Sequence, residues 1–205
     1  SNSNEDNTNK LSKYFKDRFV FYKLDLASNI SELRKVFSKH KPDIVVHFAA
    51  LKSVNESYDH PELYWNNNVR STENIINTMS KFNCNKIIYS SSAAVYGNQD
   101  IQPIKEDECL NPISVYAETK VACEKLVQDA NINHKIDGIS LRYFNPIGFH
   151  SSKLFKESFE DGVGSLMNEI IKTALDKNKV LKINGADYET NDGTCERDFI
   201  HIDDL

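Results

Sequence analysis

The run Asp43-Ile-Val-Val-His-Phe48 decides the fold class. It is short and mostly apolar, and its apolar residues do not simply alternate with polar ones. That pattern marks a strand of a parallel sheet buried on both faces, rather than one with a wet side. Parallel neighbours need a long crossover between them, usually a helix. The segments on either side of the run are therefore the test.

Outward from it, both sides alternate. On the amino side, Ile30, Leu33, Val36 and Phe37 make one apolar helical face. Asn29 and Glu32 have the spacing of a capping box at its start, and Pro42 ends it. Before that helix, Arg18-Phe-Val-Phe-Tyr-Lys-Leu-Asp-Leu26 reads as a strand. On the carboxyl side, Pro61 opens a long helix to about Phe82, and Lys86-Ile-Ile-Tyr-Ser90 is the next strand. Ser114 to about Asn131 reads as helix, Gly138 to Tyr143 as strand, Val163 to about Lys177 as helix and Val180 to Ile183 as a short strand. Residues 1–10 are rich in Ser and Asn and read as a flexible segment. The expected class is α/β, a Rossmann-like doubly wound parallel sheet.

One signal is missing. The Gly-x-Gly-x-x-Gly fingerprint occurs nowhere in the 205 residues, and Ile202-Asp-Asp-Leu205 reads as the first turn of another helix. The expectation is an incomplete sheet that lacks its first β-α-β and most of a C-terminal region.

Composition narrows the function classes. The formal net charge is −5 and no basic run occurs, which argues against a nucleic-acid partner. No apolar stretch nears the ~20 residues needed to span a bilayer, so no membrane partner is expected. Cys84, Cys109, Cys123 and Cys195 lie far apart without a Cys-x-x-Cys pair. They read as free thiols of a reducing compartment, which with the polar N-terminus points to the cytoplasm.

In a parallel sheet ligands bind beyond the carboxyl ends of the strands. Two motifs lie there. Tyr89-Ser-Ser-Ser-Ala-Ala-Val-Tyr-Gly97 brings three hydroxyls to a strand end, where serines also commonly satisfy loop backbone. Tyr116-Ala-Glu-Thr-Lys120 puts an ammonium on the same helical face as a phenol, which favours the phenolate and lowers the tyrosine below its usual value of about 10. The spacing alone is weak: with 9 tyrosines and 20 lysines among 205 residues, chance supplies about 0.9 such pairs. Context gives it weight.

Taken together, these motifs resemble the extended short-chain dehydrogenase/reductase family. Six segments occur in the order found in its UDP-glucose 4-epimerases: Phe48-Ala-Ala-Leu-Lys52, Trp65-Asn-Asn-Asn-Val69, Ser90 to Gly97, Ser114 to Lys120, Leu141-Arg-Tyr-Phe-Asn-Pro-Ile-Gly148 and Asp192 to His201. The resemblance runs from about Arg18 to Leu205 and implies NAD as cofactor and a UDP-hexose as substrate. It implies a flexible segment at 1–10, a partial NAD-binding domain with the catalytic residues at 11–150, and the start of the substrate-binding region at 151–205.

The roles are carried by position. Ser92 matches the serine that hydrogen-bonds the sugar, Tyr116 the base, and Lys120 the lysine that holds the nicotinamide ribose. Asp25 and Leu26 match the pair at the adenine. Phe48, Ala49, Ala50 and Lys52 match the stretch along the cofactor, with Asn67 nearby. Tyr143 and Phe144 flank the nicotinamide side. Asn145, Ser165 and Arg197 match ligands of the substrate diphosphate. Gly164-Ser165 stands where many epimerases have Asn-Asn, and Asn184 where an aromatic residue often faces the uracil.

Plainer readings stand beside these. Phe48, Ala49 and Ala50 also suit the tight end of a buried strand, Asn67 a polar helix surface, and Arg197 a surface pair with Glu196 or Asp198. His47 and His201 read as structural residues, and no metal site is expected. The resemblance implies interconversion of UDP-glucose and UDP-galactose, with a homodimer for the full-length enzyme and little activity for these 205 residues alone. Rivals are a 4,6-dehydratase, another UDP-hexose 4-epimerase, and a non-catalytic Rossmann-like binding protein. Against the first, Ala93 and Ala94 stand where dehydratases carry Asp-Glu.

Overall fold

Three of the expected strands form one parallel sheet. They are β1 (Val45–His47), β2 (Lys86–Ser90) and β3 (Asp137–Leu141), in the order β1-β2-β3. Val46 pairs with Ile88, and Ile88 with Ile139. The computed structural model describes residues 5–133, 135–152, 154, 166–183 and 185–205. It contains two units: Val20–Tyr143 holds this sheet, and the other joins Asn4–Phe19 to Phe144–Leu205.

The helices are α1 (Glu5–Phe15), α2 (Ile30–His40), α3 (Val54–Asp59), α4 (Pro61–Tyr64), α5 (Arg70–Lys81), α6 (Val115–Asn133) and α7 (Leu166–Leu175). The β1–β2 crossover carries α3, α4 and α5, and the β2–β3 crossover carries α6. Ser53 caps α3 by accepting from the Glu56 N–H at 3.3 Å. Ser114 does the same for α6, accepting from the Ala117 N–H at 3.2 Å. In the second unit β4 (Asn145–Ile147) pairs in parallel with β5 (Phe199–His201).

The core of the first unit forms where the helices meet the sheet. Leu33 and Phe37 of α2, Ile75, Ile76 and Met79 of α5, and Cys123, Val127 and Ala130 of α6 pack with Ile87 and Tyr89 of β2. Each large apolar side chain buried there contributes about 1.5–3 kcal/mol. Gly138 lets β3 approach α6 closely, because a Cβ on it would crowd the Val127 side chain and lie 2.9 Å from Asn131 Oδ1. The sheet's other face differs from expectation. Val46 is 50% exposed and Ile139 60%, so the 43–48 run is buried on one face only.

Further expectations are corrected. Residues 18–26 form no strand, apart from a 3-10 turn ending at Arg18, and residues 180–183 form none. A strand exists only through a ladder partner, and no described strand pairs with either segment. The expected irregular segment at 1–10 is helical from Glu5 on. The capping box does not form: Asn29 Oδ1 accepts from the Asp25 N–H at 3.0 Å, and Glu32 pairs with Lys35 at 2.6 Å. The long helix from Pro61 is interrupted by a π-helical stretch, Trp65–Val69. The last expected helix is seen from Leu166, since 163–165 lie outside the described residues.

Candidate active site

The turn after β2 is held on two sides. The Ser91 N–H donates to the Leu141 carbonyl and the Ala93 N–H to the Tyr143 carbonyl, both at 2.8 Å. Ser92 is extended and caps a 3-10 turn, Ala93–Tyr96, its Oγ accepting from the Ala94 N–H at 3.2 Å. Gly97 closes that turn at φ +62°, where any Cβ would overlap the Asn111 carbonyl oxygen.

The first turn of α6 faces this segment. The Tyr116 N–H donates to Ser57 Oγ at 3.2 Å, and the Ser92 hydroxyl neighbours the Tyr116 phenol and favours its ionised form. One turn on, Lys120 is buried, and its Nζ donates to the Ser90 carbonyl at 2.7 Å. That nitrogen lies 5.0 Å from the Tyr89 ring centre and 5.7 Å from that of Tyr116. The Ser90 hydroxyl neighbours the Tyr143 phenol and opposes the upward push of burial on it. Ser92, Tyr116, Lys120 and Tyr143 thus meet at one strand end.

The electrostatics differ from the expected picture. Burial pushes Tyr116 above its ordinary value, opposed only by the Ser92 hydrogen bond. The Lys120 ammonium, 5.7 Å from the Tyr116 ring centre, is itself tied to the Ser90 carbonyl. Lys120 itself is pushed down to about 8 by burial, with Cys123 and Glu124 opposing. Behind it, His47 is buried, and its Nε2 is hydrogen-bonded to Thr72 Oγ1 at 3.0 Å. Burial, then the charge of Lys120, lowers His47 to about 4. It is a neutral packing residue at ordinary pH.

Phe48, Ala49, Ala50 and Lys52 follow β1, and one residue holds that loop. Asn68 is buried; its amide accepts from the Leu51 N–H at 2.8 Å and donates to the Leu51 carbonyl at 3.0 Å and to Thr119 Oγ1 at 3.2 Å. The predicted Asn67 is half-buried and donates to Asn68 Oδ1 at 2.9 Å. Asn68 was missed because three asparagines stand in a row, and only the phase of the π-helical stretch shows which one turns inward. Such stretches recur at functional sites.

Asp25 is exposed, and its carboxylate accepts from the Ala27 N–H at 2.9 Å and from Ser28 Oγ at 2.6 Å. The Ser28 hydroxyl, then the Ala27 amide, hold it below the usual carboxylate range. The Leu26 and Ala27 carbonyls accept from the Asn74 amide at 2.9 and 3.0 Å. In the second unit, Phe144 is exposed, Asn145 donates to the Asp198 carbonyl at 2.9 Å, and exposed Arg197 donates to the Glu196 carbonyl at 2.8 Å. His201 accepts from the Asp203 N–H through Nδ1 at 3.2 Å. Ser165 and Asn184 lie outside the described residues. Among the described residues, no group of three or more His, Cys, Asp or Glu is placed to hold a metal, and no helix is long and apolar enough to cross a membrane.

Comparison with known proteins gives a consistent result. The family model "NAD dependent epimerase/dehydratase family" matches residues 1–205. The chain is 41% identical over 191 residues to UDP-glucose 4-epimerase 3 of Oryza sativa subsp. japonica, covering 92% of this chain and 50% of that one. It is 41% identical over 186 residues to a UDP-glucose 4-epimerase of Dictyostelium discoideum, covering 90% and 54%. The solved UDP-glucose 4-epimerase of Bifidobacterium longum, in complex with NAD+ and UDP, superposes with a TM-score of 0.88 at 34% identity, covering 99% of this chain and 61% of that one. The chain therefore spans about half the length of the curated relatives it matches.

Proposed function

The chain belongs to the NAD dependent epimerase/dehydratase family, and from that premise we propose that it carries the proton-handling residues of an enzyme that interconverts UDP-glucose and UDP-galactose. The observation that carries this reading is the Ser92 hydroxyl beside the Tyr116 phenol past the carboxyl end of β2, with the Lys120 cation 5.7 Å from the Tyr116 ring centre.

The chemistry explains the need for that pair. The hydrogen on C4 of a hexose is not acidic, so inversion by direct deprotonation is closed. Oxidation to the ketone removes the stereocentre, and reduction from the other face inverts it. The O4 proton must leave during oxidation and return afterwards. Tyr116 is the base for that proton, and Ser92 positions or relays it. Burial holds the Tyr116 proton in place, so added positive charge is needed to release it, and Lys120 is the cation this chain provides. When bound, NAD would supply the hydride acceptor and donor, and its positive nicotinamide would favour the phenolate.

The donor set fits that cofactor in part. The buried Lys120 ammonium and the Tyr116 hydroxyl would hold the nicotinamide ribose, with Tyr143 and Phe144 flanking. The small residues Ala49 and Ala50, between Phe48 and Lys52, suit close approach of a ligand to backbone, with Asn67 nearby; Asp25 and Leu26 would meet the adenine. The glycine run that seats a pyrophosphate at a helix N-terminus is absent from the sequence. These 205 residues alone should therefore bind NAD weakly and turn over little. For the UDP-hexose, Ser92 and Tyr116 would meet the sugar, and Asn145, Ser165 and Arg197 the diphosphate, the last suited to it by its guanidinium. The full protein is expected to act in the cytoplasm as a homodimer. A dehydratase is disfavoured because Ala93 and Ala94, next to Ser92, cannot move the protons that elimination requires.

Tyr116→Phe in the full-length protein tests this reading. Turnover of UDP-galactose should be lost while bound NAD is retained. Epimerisation at near the wild-type rate would overturn the assignment.

A further inference from the structure

Beside the Ser92 turn lies a charge pair that the reaction above does not use. Glu124 is one turn beyond Lys120 on α6, so the two share a helical face. Arg142, just after β3, reaches Glu124 with two nitrogens of its guanidinium: Nε lies 3.0 and 3.2 Å from the two carboxylate oxygens, and Nη2 is 2.8 Å from Oε2. The Ser91 hydroxyl donates to the same carboxylate. The remaining arm, Nη1, donates to the Tyr96 hydroxyl at 2.7 Å and to the Glu106 carbonyl at 2.9 Å. The guanidinium carbon also sits 4.8 Å from the Tyr96 ring centre.

The placement matters because of what lies between the contacts. Ser91 precedes Ser92, and Tyr96 ends the 3-10 turn that Ser92 caps. Both flanks of the turn are therefore tied by side chains to one ion pair. The pair is also well shielded, with the Glu124 side chain 10% exposed and that of Arg142 23%. A forked guanidinium–carboxylate contact fixes direction as well as charge.

We infer that Glu124 and Arg142 are positioning residues: through Ser91 and Tyr96 they fix the turn that aims the Ser92 hydroxyl at Tyr116. This rests on the epimerase reading above. Neither residue touches the reacting atoms. Loss of either should let Ser92 drift from Tyr116, and small misplacements of a catalytic group are costly.

The test uses three variants of the full-length protein. Ser91→Ala removes one hydroxyl and is the mildest. Glu124→Gln keeps an acceptor but loses the charge, and Arg142→Lys loses the fork and the reach to Tyr96. In the last two, kcat should fall about tenfold or more, with KM for UDP-galactose and NAD content unchanged; Ser91→Ala should show a smaller fall of the same kind. Tyr116 faces Lys120 on its own helix and Ser92 and Tyr89 on the β2 side. Without the Ser92 hydrogen bond it needs a higher pH to ionise, so the rising limb of the kcat–pH profile should move upward. A purely structural pair would lower melting temperature and leave that limb in place.

A second measurement needs no turnover. Titration of ¹³Cζ-labelled tyrosine by NMR, with Tyr116 assigned through Tyr116→Phe, follows its ionisation directly. An upward shift in Ser91→Ala and Glu124→Gln supports the inference, and an unmoved Tyr116 in both overturns it. A wild-type protein inactive on UDP-hexoses would sink the epimerase reading, while the titration would still decide whether the pair positions Ser92.

Discussion

The carboxyl ends of β1 and β2 lie on neighbouring strands, yet they are built differently. After β2, the Ser90 carbonyl meets Lys120, the Ser91 hydroxyl meets Glu124, and the Ser92 hydroxyl meets Tyr116. Each of these partners comes from α6. After β1, Phe48 is 61% exposed, Lys52 is exposed, and the loop is fastened at Leu51 by the amide of Asn68. The difference separates two tasks. The β2 end, to which proton handling is assigned under the proposed function, is preformed by groups within this chain. The end assigned to the cofactor is fastened at one residue and otherwise open.

The largest test of that contrast is Asn68→Ala in the full-length protein. It strips partners from the Leu51 N–H and carbonyl at once and leaves Thr119 without its amide contact. Unsatisfied buried groups cost about 1–3 kcal/mol each, so a loss of roughly 3–4 kcal/mol is expected in denaturant unfolding. A loss under about 1 kcal/mol would mean that the loop has another anchor.

His47 lies beneath both ends and gives the next effect. Its folded value, about 4, is below the ordinary 6.5. The unfolded chain therefore takes up a proton first as the pH falls. Full stability holds above about pH 6.5 and is lost progressively down to about pH 4, by about 3 kcal/mol in all. Unfolding midpoints at pH 7 and pH 4 should differ less in His47→Asn than in the wild type. An equal difference would mean that other groups carry the acid sensitivity.

The smallest effect sharpens the contrast from the open side. Phe48→Ser should change stability by under about 0.5 kcal/mol, since the ring is mostly in solvent. A loss above about 2 kcal/mol, read by thermal melting, would mean that the β1 end is packed after all.

The sequence was a good guide where a segment's neighbours lie within the chain. The runs at 43–48 and 138–143 each pair with the one at 86–90, and their apolar pattern was enough. The runs at 18–26 and 180–183 look equally strand-like, but a ladder needs a second strand, and propensity does not reveal one. Asn29 shows the same limit at short range: its spacing to Glu32 is right, but its oxygen is taken by the Asp25 N–H.

At the site, the Tyr116–Lys120 spacing was legible because one helix carries both. The sign of the Tyr116 shift was not, since it depends on how deeply the phenol is buried. Glu124 could have been picked out by its four-residue spacing from Lys120. Arg142 stands 18 residues further on, and only the fold brings the two together.

The half-covered sheet has a practical consequence. Val46, Ile88 and Ile139 form an apolar stripe across all three strands, and the outer edges of β1 and β3 have no ladder partner among the described residues. Open edges template pairing with further chains, and apolar patches add to the pull. Prepared alone, the 205 residues should meet a low concentration ceiling, set by self-association on the face opposite the helices.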